Sequence, residues 1–167
     1  MRPFLLLCVA LASAQAAGAN TSPPATAKWK TVFDQYRSSV SLPYSTLMQV
    51  PNPTGLTFKT KDGRVIIRLW TITEPRPDFP GHNPNDDMDL KKSDCDAWPP
   101  NYRKTTGTVA SYSCVLHGRV SYYLGRYSQS GSVTLLVTYP VSLKRPWDDY
   151  VNRMAKSLKQ VERRELR

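Results

Sequence analysis

The sequence predicts an α+β domain: an antiparallel sheet of about five or six strands, packed by a C-terminal helix and a short N-terminal helix. Three observations carry that expectation. Leu56 to Ile72 reads as two strand-forming arms around Lys61-Asp62-Gly63-Arg64, and the Asp62-Gly63 pair supplies the φ > 0 conformation that a tight hairpin needs. Val109 to Leu116, Val120 to Ser128 and Val133 to Tyr139 are strand-like runs separated by short Gly-containing links, as consecutive hairpins require. Trp147, Tyr150, Val151, Met154 and Leu158 then recur at steps of three and four, an apolar stripe made to lie on a sheet.

Residues 1–19 are set apart from the fold. One positive charge at Arg2 precedes an apolar run from Phe4 to Leu11, too short to span a bilayer, and Ala17-Gly18-Ala19 suits signal cleavage after Ala19. Cys8 lies inside this segment and belongs to it. Removing it leaves 148 of the 167 residues, enough for one domain that buries roughly 70% of its unfolded surface. No later run is long and apolar enough for a transmembrane segment, so the expected location is periplasmic or secreted.

Residues 20–27 are rich in Pro, Ser, Thr and Ala without a period, and read as a disordered leader to a single domain at 28–160. Lys28 to Gln35 places Trp29, Val32, Phe33 and Tyr36 at spacings of three and four, which gives the short N-terminal helix or an extended lead-in. A strand follows from Arg37 to Leu42 and stops at Pro43. Pro51-Asn52-Pro53-Thr54-Gly55 forms a loop before the Leu56 to Ile72 hairpin. Residues 73–100 form a Pro-rich insertion whose second half is acidic: Asp86 to Asp96 holds five of the thirteen acids. Tyr102 to Thr106 adds a short edge strand. Pro146 suits the first position of the last helix, where Asp148 and Asp149 complement the dipole. Residues 161–167 make a basic tail.

Chemistry is sparse. Cys95 and Cys114 survive processing, and an even count in an oxidising compartment points to one disulfide. Two thiols without CxxC spacing do not build a zinc site. Asn83, Asn85, Asp87, Asp89 and Asp94 resemble cation ligands only in type, since neither frame beginning at Asn83 or Asn85 has the Gly and Glu of an EF-hand loop. No metal and no cofactor are expected. The histidines are His82 and His117, and no serine sits in G-x-S-x-G. The catalytic alternative is a small hydrolase using His82 with Asp86 or Asp87. Alternation puts Tyr112 on the face of Cys114 and Tyr123 on that of Tyr127, where cross-strand aromatic pairs stabilise a sheet.

The formal charge of +10 falls to +9 without Arg2. Such charge draws a domain towards anionic surfaces. Nucleic acid is not the expected partner, because no cluster of base-stacking aromatics accompanies the charge. On the last helix Arg153 and Lys156, continued by Arg163, Arg164 and Arg167, fall in one sector opposite the apolar stripe. That sector is the candidate anion-binding face, for an unknown protein or an anionic envelope surface.

Tyr44, Pro51, Pro53, the Phe58 to Trp70 hairpin with its Asp62-Gly63 turn, Tyr122-Tyr123, Tyr139-Pro140 and Trp147 to Leu158 make the chain resemble small exported bacterial proteins with a PsbP-like α/β/α sandwich. The likeness covers about Trp29 to Leu158. It implies a non-enzymatic accessory or binding domain, and it carries over no functional residue.

Overall fold

Antiparallel pairing organises the chain. A computed structural model describes residues 26–73, 95–97, 100, 102–128 and 130–160. Seven strands form one sheet: β3 (Leu47–Val50), β4 (Leu56–Thr60), β5 (Ile66–Ile72), β6 (Tyr102–Thr106), β7 (Val109–Leu116), β8 (Arg119–Ser128) and β9 (Gly131–Pro140). Their order is β3-β4-β5-β9-β8-β7-β6, all neighbours antiparallel. Two more strands, β1 (Lys30–Phe33) and β2 (Ser39–Leu42), pair with each other as a separate ribbon. The one α-helix among the described residues, α1 (Lys144–Ser157), follows a 3-10 turn at Val141–Leu143.

The α+β class holds, with corrections. The sheet has seven strands rather than five or six, because Leu47–Val50 pairs along β4 as an edge strand. Four residues between a 3-10 turn and Pro51 are too few to show a period. The short N-terminal helix expected over Lys28 to Gln35 is instead strand β1. A helix of that length is marginal alone, and a competing turn wins: the Asp34 carboxylate accepts from the Tyr36 and Ser38 amides, each at 2.9 Å. The chain reverses there with Arg37 at φ 62°. Val32 then faces Val40, while Phe33 is 63% exposed instead of lying on a buried stripe.

The central hairpin forms as its turn chemistry dictates. Gly63 takes φ 68°, and the Asp62 carboxylate accepts from the Thr60 hydroxyl at 2.6 Å and the Arg64 amide at 3.1 Å. His117 and Gly118, both at positive φ, join β7 to β8 as a two-residue I′ turn does.

One sheet face carries the core. Phe58, Ile67, Leu69, Leu124, Leu135 and Val137 point to one side and meet Trp147, Val151 and Met154 of α1, with Val40 and Leu42 of β2 beside them. Helix α1 begins at Lys144, so Pro146 is its third residue, and Asp148 and Asp149 fall in the second turn rather than at the dipole end. Pro there costs no hydrogen bond, because the first four amides of a helix have no partner within it. Asp148 ties α1 to β9 by accepting from the Tyr139 hydroxyl at 2.8 Å, and it accepts from Lys144 at 2.5 Å.

The opposite face carries a smaller cluster. Tyr112 and Tyr123 are paired across β7 and β8 and stack at 5.0 Å with 10° between rings. The Tyr123 and Tyr127 hydroxyls lie 3.0 Å apart over Gly125, where a Cβ would come within 2.5 Å of the Tyr127 oxygen. Cys114 shares this face and is bonded to Cys95, with Cα atoms 5.6 Å apart.

Candidate functional site

The helix face expected to bind anions is joined by a second element. Ser39 and Lys159 exchange backbone hydrogen bonds at 2.9 Å each, and the Ser41 amide donates to the Ser157 hydroxyl at 2.9 Å. These contacts lay the β1–β2 ribbon beside the end of α1. Burial of Val151 and Met154 leaves Arg153 and Lys156 exposed. Arg153 lies over the Trp29 ring, 4.0 Å from its centroid, and Trp29 packs 5.2 Å from Tyr150. Lys30 lies over Tyr44 at 4.9 Å. Exposed Lys28 and Lys30 thus flank the indole that Arg153 covers, and Lys159 extends the ribbon's edge beyond Lys156.

Charge balance sharpens this surface. The described residues hold sixteen lysines and arginines against five aspartates and no glutamate. Four of those aspartates are engaged by the fold: Asp34 and Asp62 in turns, Asp148 with Tyr139 and Lys144, and Asp96 with the His117 amide at 3.2 Å. Asp34 also accepts from the Thr71 hydroxyl. Among the described residues, none of Lys28, Lys30, Arg37, Arg153, Lys156 or Lys159 has an ion-pair partner. Arg163 and Arg164, the other half of the expected anion-binding set, lie outside the described residues.

No family model matches the chain, and no curated protein matches it significantly.

A second polar constellation occupies a cavity of about 380 Å³ between the sheet and α1, lined by Tyr102, Ser113, Tyr122, Tyr139, Asp148 and Asn152 among others. Burial, helped by the neighbouring Tyr102, pushes the Tyr122 phenol up to about 12. Burial first, then the hydrogen bond to Asp148, raises Tyr139 further. These phenols are neutral donors at neutral pH, unsuited to act as bases. Asp148, accepting from both sides, anchors the helix instead of presenting a nucleophile. His117 stands away in the β7–β8 turn. The hydrolase alternative, His82 with Asp86 or Asp87, lies outside the described residues, as do Asn83, Asn85, Asp87, Asp89 and Asp94. Among the described residues, no group of three or more His, Cys, Asp or Glu is placed to hold a metal.

Sequence reasoning found Arg153 and Lys156 from their helical sector and missed the ribbon. The signal was present in Lys28-Trp29-Lys30, cations flanking an aromatic. Its meaning depended on a contact with residues about 120 positions later.

Proposed function

We propose that the protein is an exported, non-enzymatic binding domain of the PsbP-like kind that engages an anionic envelope surface through the layer formed by α1 and the β1–β2 ribbon. The observation that carries this reading is the set of exposed cations without ion-pair partners among the described residues, set beside exposed aromatics. Phe33, Tyr36 and Tyr44 stand out from the ribbon and the 3-10 turn after it. Cations next to exposed aromatic rings suit the interfacial zone of an anionic membrane, where each cation contributes roughly 1 kcal/mol.

Arg153 is the best placed of these groups. Lying over an indole still leaves the N–H donors in the guanidinium plane, and that plane can fork onto a phosphate. The Trp29 contact also limits the rotamer freedom that binding would otherwise remove. The Cys95–Cys114 disulfide supports an oxidising compartment. No helix among the described residues is long and apolar enough to cross a membrane. The antiparallel sheet covered by a C-terminal helix supports the PsbP-like assignment.

Co-sedimentation with phosphatidylglycerol vesicles tests the reading. Binding is expected at low salt, should fall as salt screens the attraction, and should be absent on phosphatidylcholine. The Lys28→Gln, Lys30→Gln, Arg153→Gln, Lys156→Gln quadruple variant should bind clearly less. If the wild type ignores anionic vesicles at low salt, or the variant binds equally well, the layer is only a solvated surface.

A further inference from the structure

On the sheet face that α1 does not cover, a groove of about 670 Å³ opens at the β4–β5 end, lined by Lys59, Thr57, Arg68 and Trp70 and by the loop that holds Asn52 and Thr54. This size falls in the range of ligand clefts. Strand geometry sets its chemistry. Arg68 and Trp70 stand two residues apart on β5, so they emerge from one face about 7 Å from each other. Arg68 faces Thr57 directly, which makes Lys59 its diagonal neighbour, within reach of long side chains. A flat apolar ring thus lies beside two cations. Among the described residues no carboxylate lines the groove and neither cation has an ion-pair partner.

The wall is held in place before any ligand arrives. The Asn52 side-chain oxygen accepts from the Thr54 amide at 3.0 Å and the Thr54 hydroxyl at 2.9 Å, while its nitrogen donates to the Thr57 hydroxyl at 2.8 Å. Pro51 and Pro53 fix φ on either side of it. Gly55 packs directly on β5: a Cβ there would come 2.3 Å from the Leu69 carbonyl oxygen and 3.0 Å from the Trp70 Cβ. No side chain from that position shields the indole.

We infer that this groove binds an acidic saccharide, with the C–H face of a pyranose ring on Trp70 and its carboxylate held between Lys59 and Arg68. A bare anion has no use for the indole, and a neutral sugar has none for the two cations. Single-stranded nucleic acid wants a succession of aromatic platforms, and among the described residues this groove offers one. The site is independent of the outer layer, because Lys59, Arg68 and Trp70 point away from α1.

Calorimetric titration of the mature protein with tetragalacturonate, cellotetraose and a thymidine oligonucleotide tests the inference. Tetragalacturonate should bind, and cellotetraose at least about tenfold more weakly. Trp70→Ala should weaken tetragalacturonate by about tenfold, and Lys59→Gln with Arg68→Gln should abolish the preference for the acidic sugar. Arg68→Gln alone changes one exposed side chain and keeps the test sound should Trp70→Ala fail to fold. Arg153→Gln with Lys156→Gln should leave saccharide affinity unchanged, which separates this site from the vesicle-binding layer. Equal affinity for the two tetrasaccharides, an unaltered Arg68→Gln variant, or tighter binding of the oligonucleotide than of tetragalacturonate overturns the inference.

Discussion

Asp34 does two jobs with one carboxylate. It is 7% exposed, closes the β1–β2 turn through two backbone amides, and reaches the Thr71 hydroxyl on β5. Charge-assisted hydrogen bonds are the stronger kind, and removing the acceptor leaves its donors to find water in a crowded turn. Asp34→Ala should therefore cost roughly 3 kcal/mol by urea unfolding, more than the loss of one neutral hydrogen bond. A loss below about 0.5 kcal/mol, within the range of ordinary surface substitutions, would show that the ribbon holds its place without this anchor. The same turn explains a misreading of the sequence. Asp34 followed by Tyr36 and Ser38 is a turn signal, yet Trp29, Val32, Phe33 and Tyr36 also fit a helical spacing. In so short a segment the local side-chain cap decides between them.

At the scale of elements, α1 docks through Trp147, which is fully buried against Tyr139 and Tyr150 at ring separations of 6.4 and 5.6 Å. Trp147→Ala removes the largest fully buried side chain and should cost roughly 3–5 kcal/mol, lowering the melting temperature by about 10 °C or more. An unchanged melting curve would mean the helix is not held there. This element was legible from its stripe, and β7, β8 and β9 were legible because strong alternation and short Gly-containing turns bound them closely. Strand β3 was not, since pairing along β4 and not its own composition makes it a strand. The candidate sites divide the same way. Arg153 and Lys156 follow from helical geometry alone. The groove at Trp70 exists only once the Pro51–Gly55 loop has packed on β5, and residue spacing does not report such a contact.

For the whole molecule, the phenols of Tyr122, Tyr139 and Tyr150 are all raised, each chiefly by burial. The folded state therefore keeps protons that the unfolded chain releases near pH 10.0. Stability from this source is fully present below that pH and declines above it, because the unfolded state then binds fewer protons. The urea midpoint should stay level to about pH 9.5 and fall towards pH 12, with a shallower fall in Tyr139→Phe. A midpoint as high at pH 11.5 as at pH 8 would contradict the assigned burial. The strand order has a different consequence, in time. Strands β3 to β5 and β6 to β8 are each built from near neighbours, but the two halves meet only through β9, where Ile67 pairs with Val137, 70 residues later. Loop closure of that length comes before any reward, which places folding among the slow, non-local cases. A chain emerging from a pore in N-to-C order has no centre to its sheet until residues 131–140 have passed, and no helix to cover it until just afterwards. Joining of the two halves is a late event, and a nascent chain that ends before residue 131 lacks the strand that links β5 to β8.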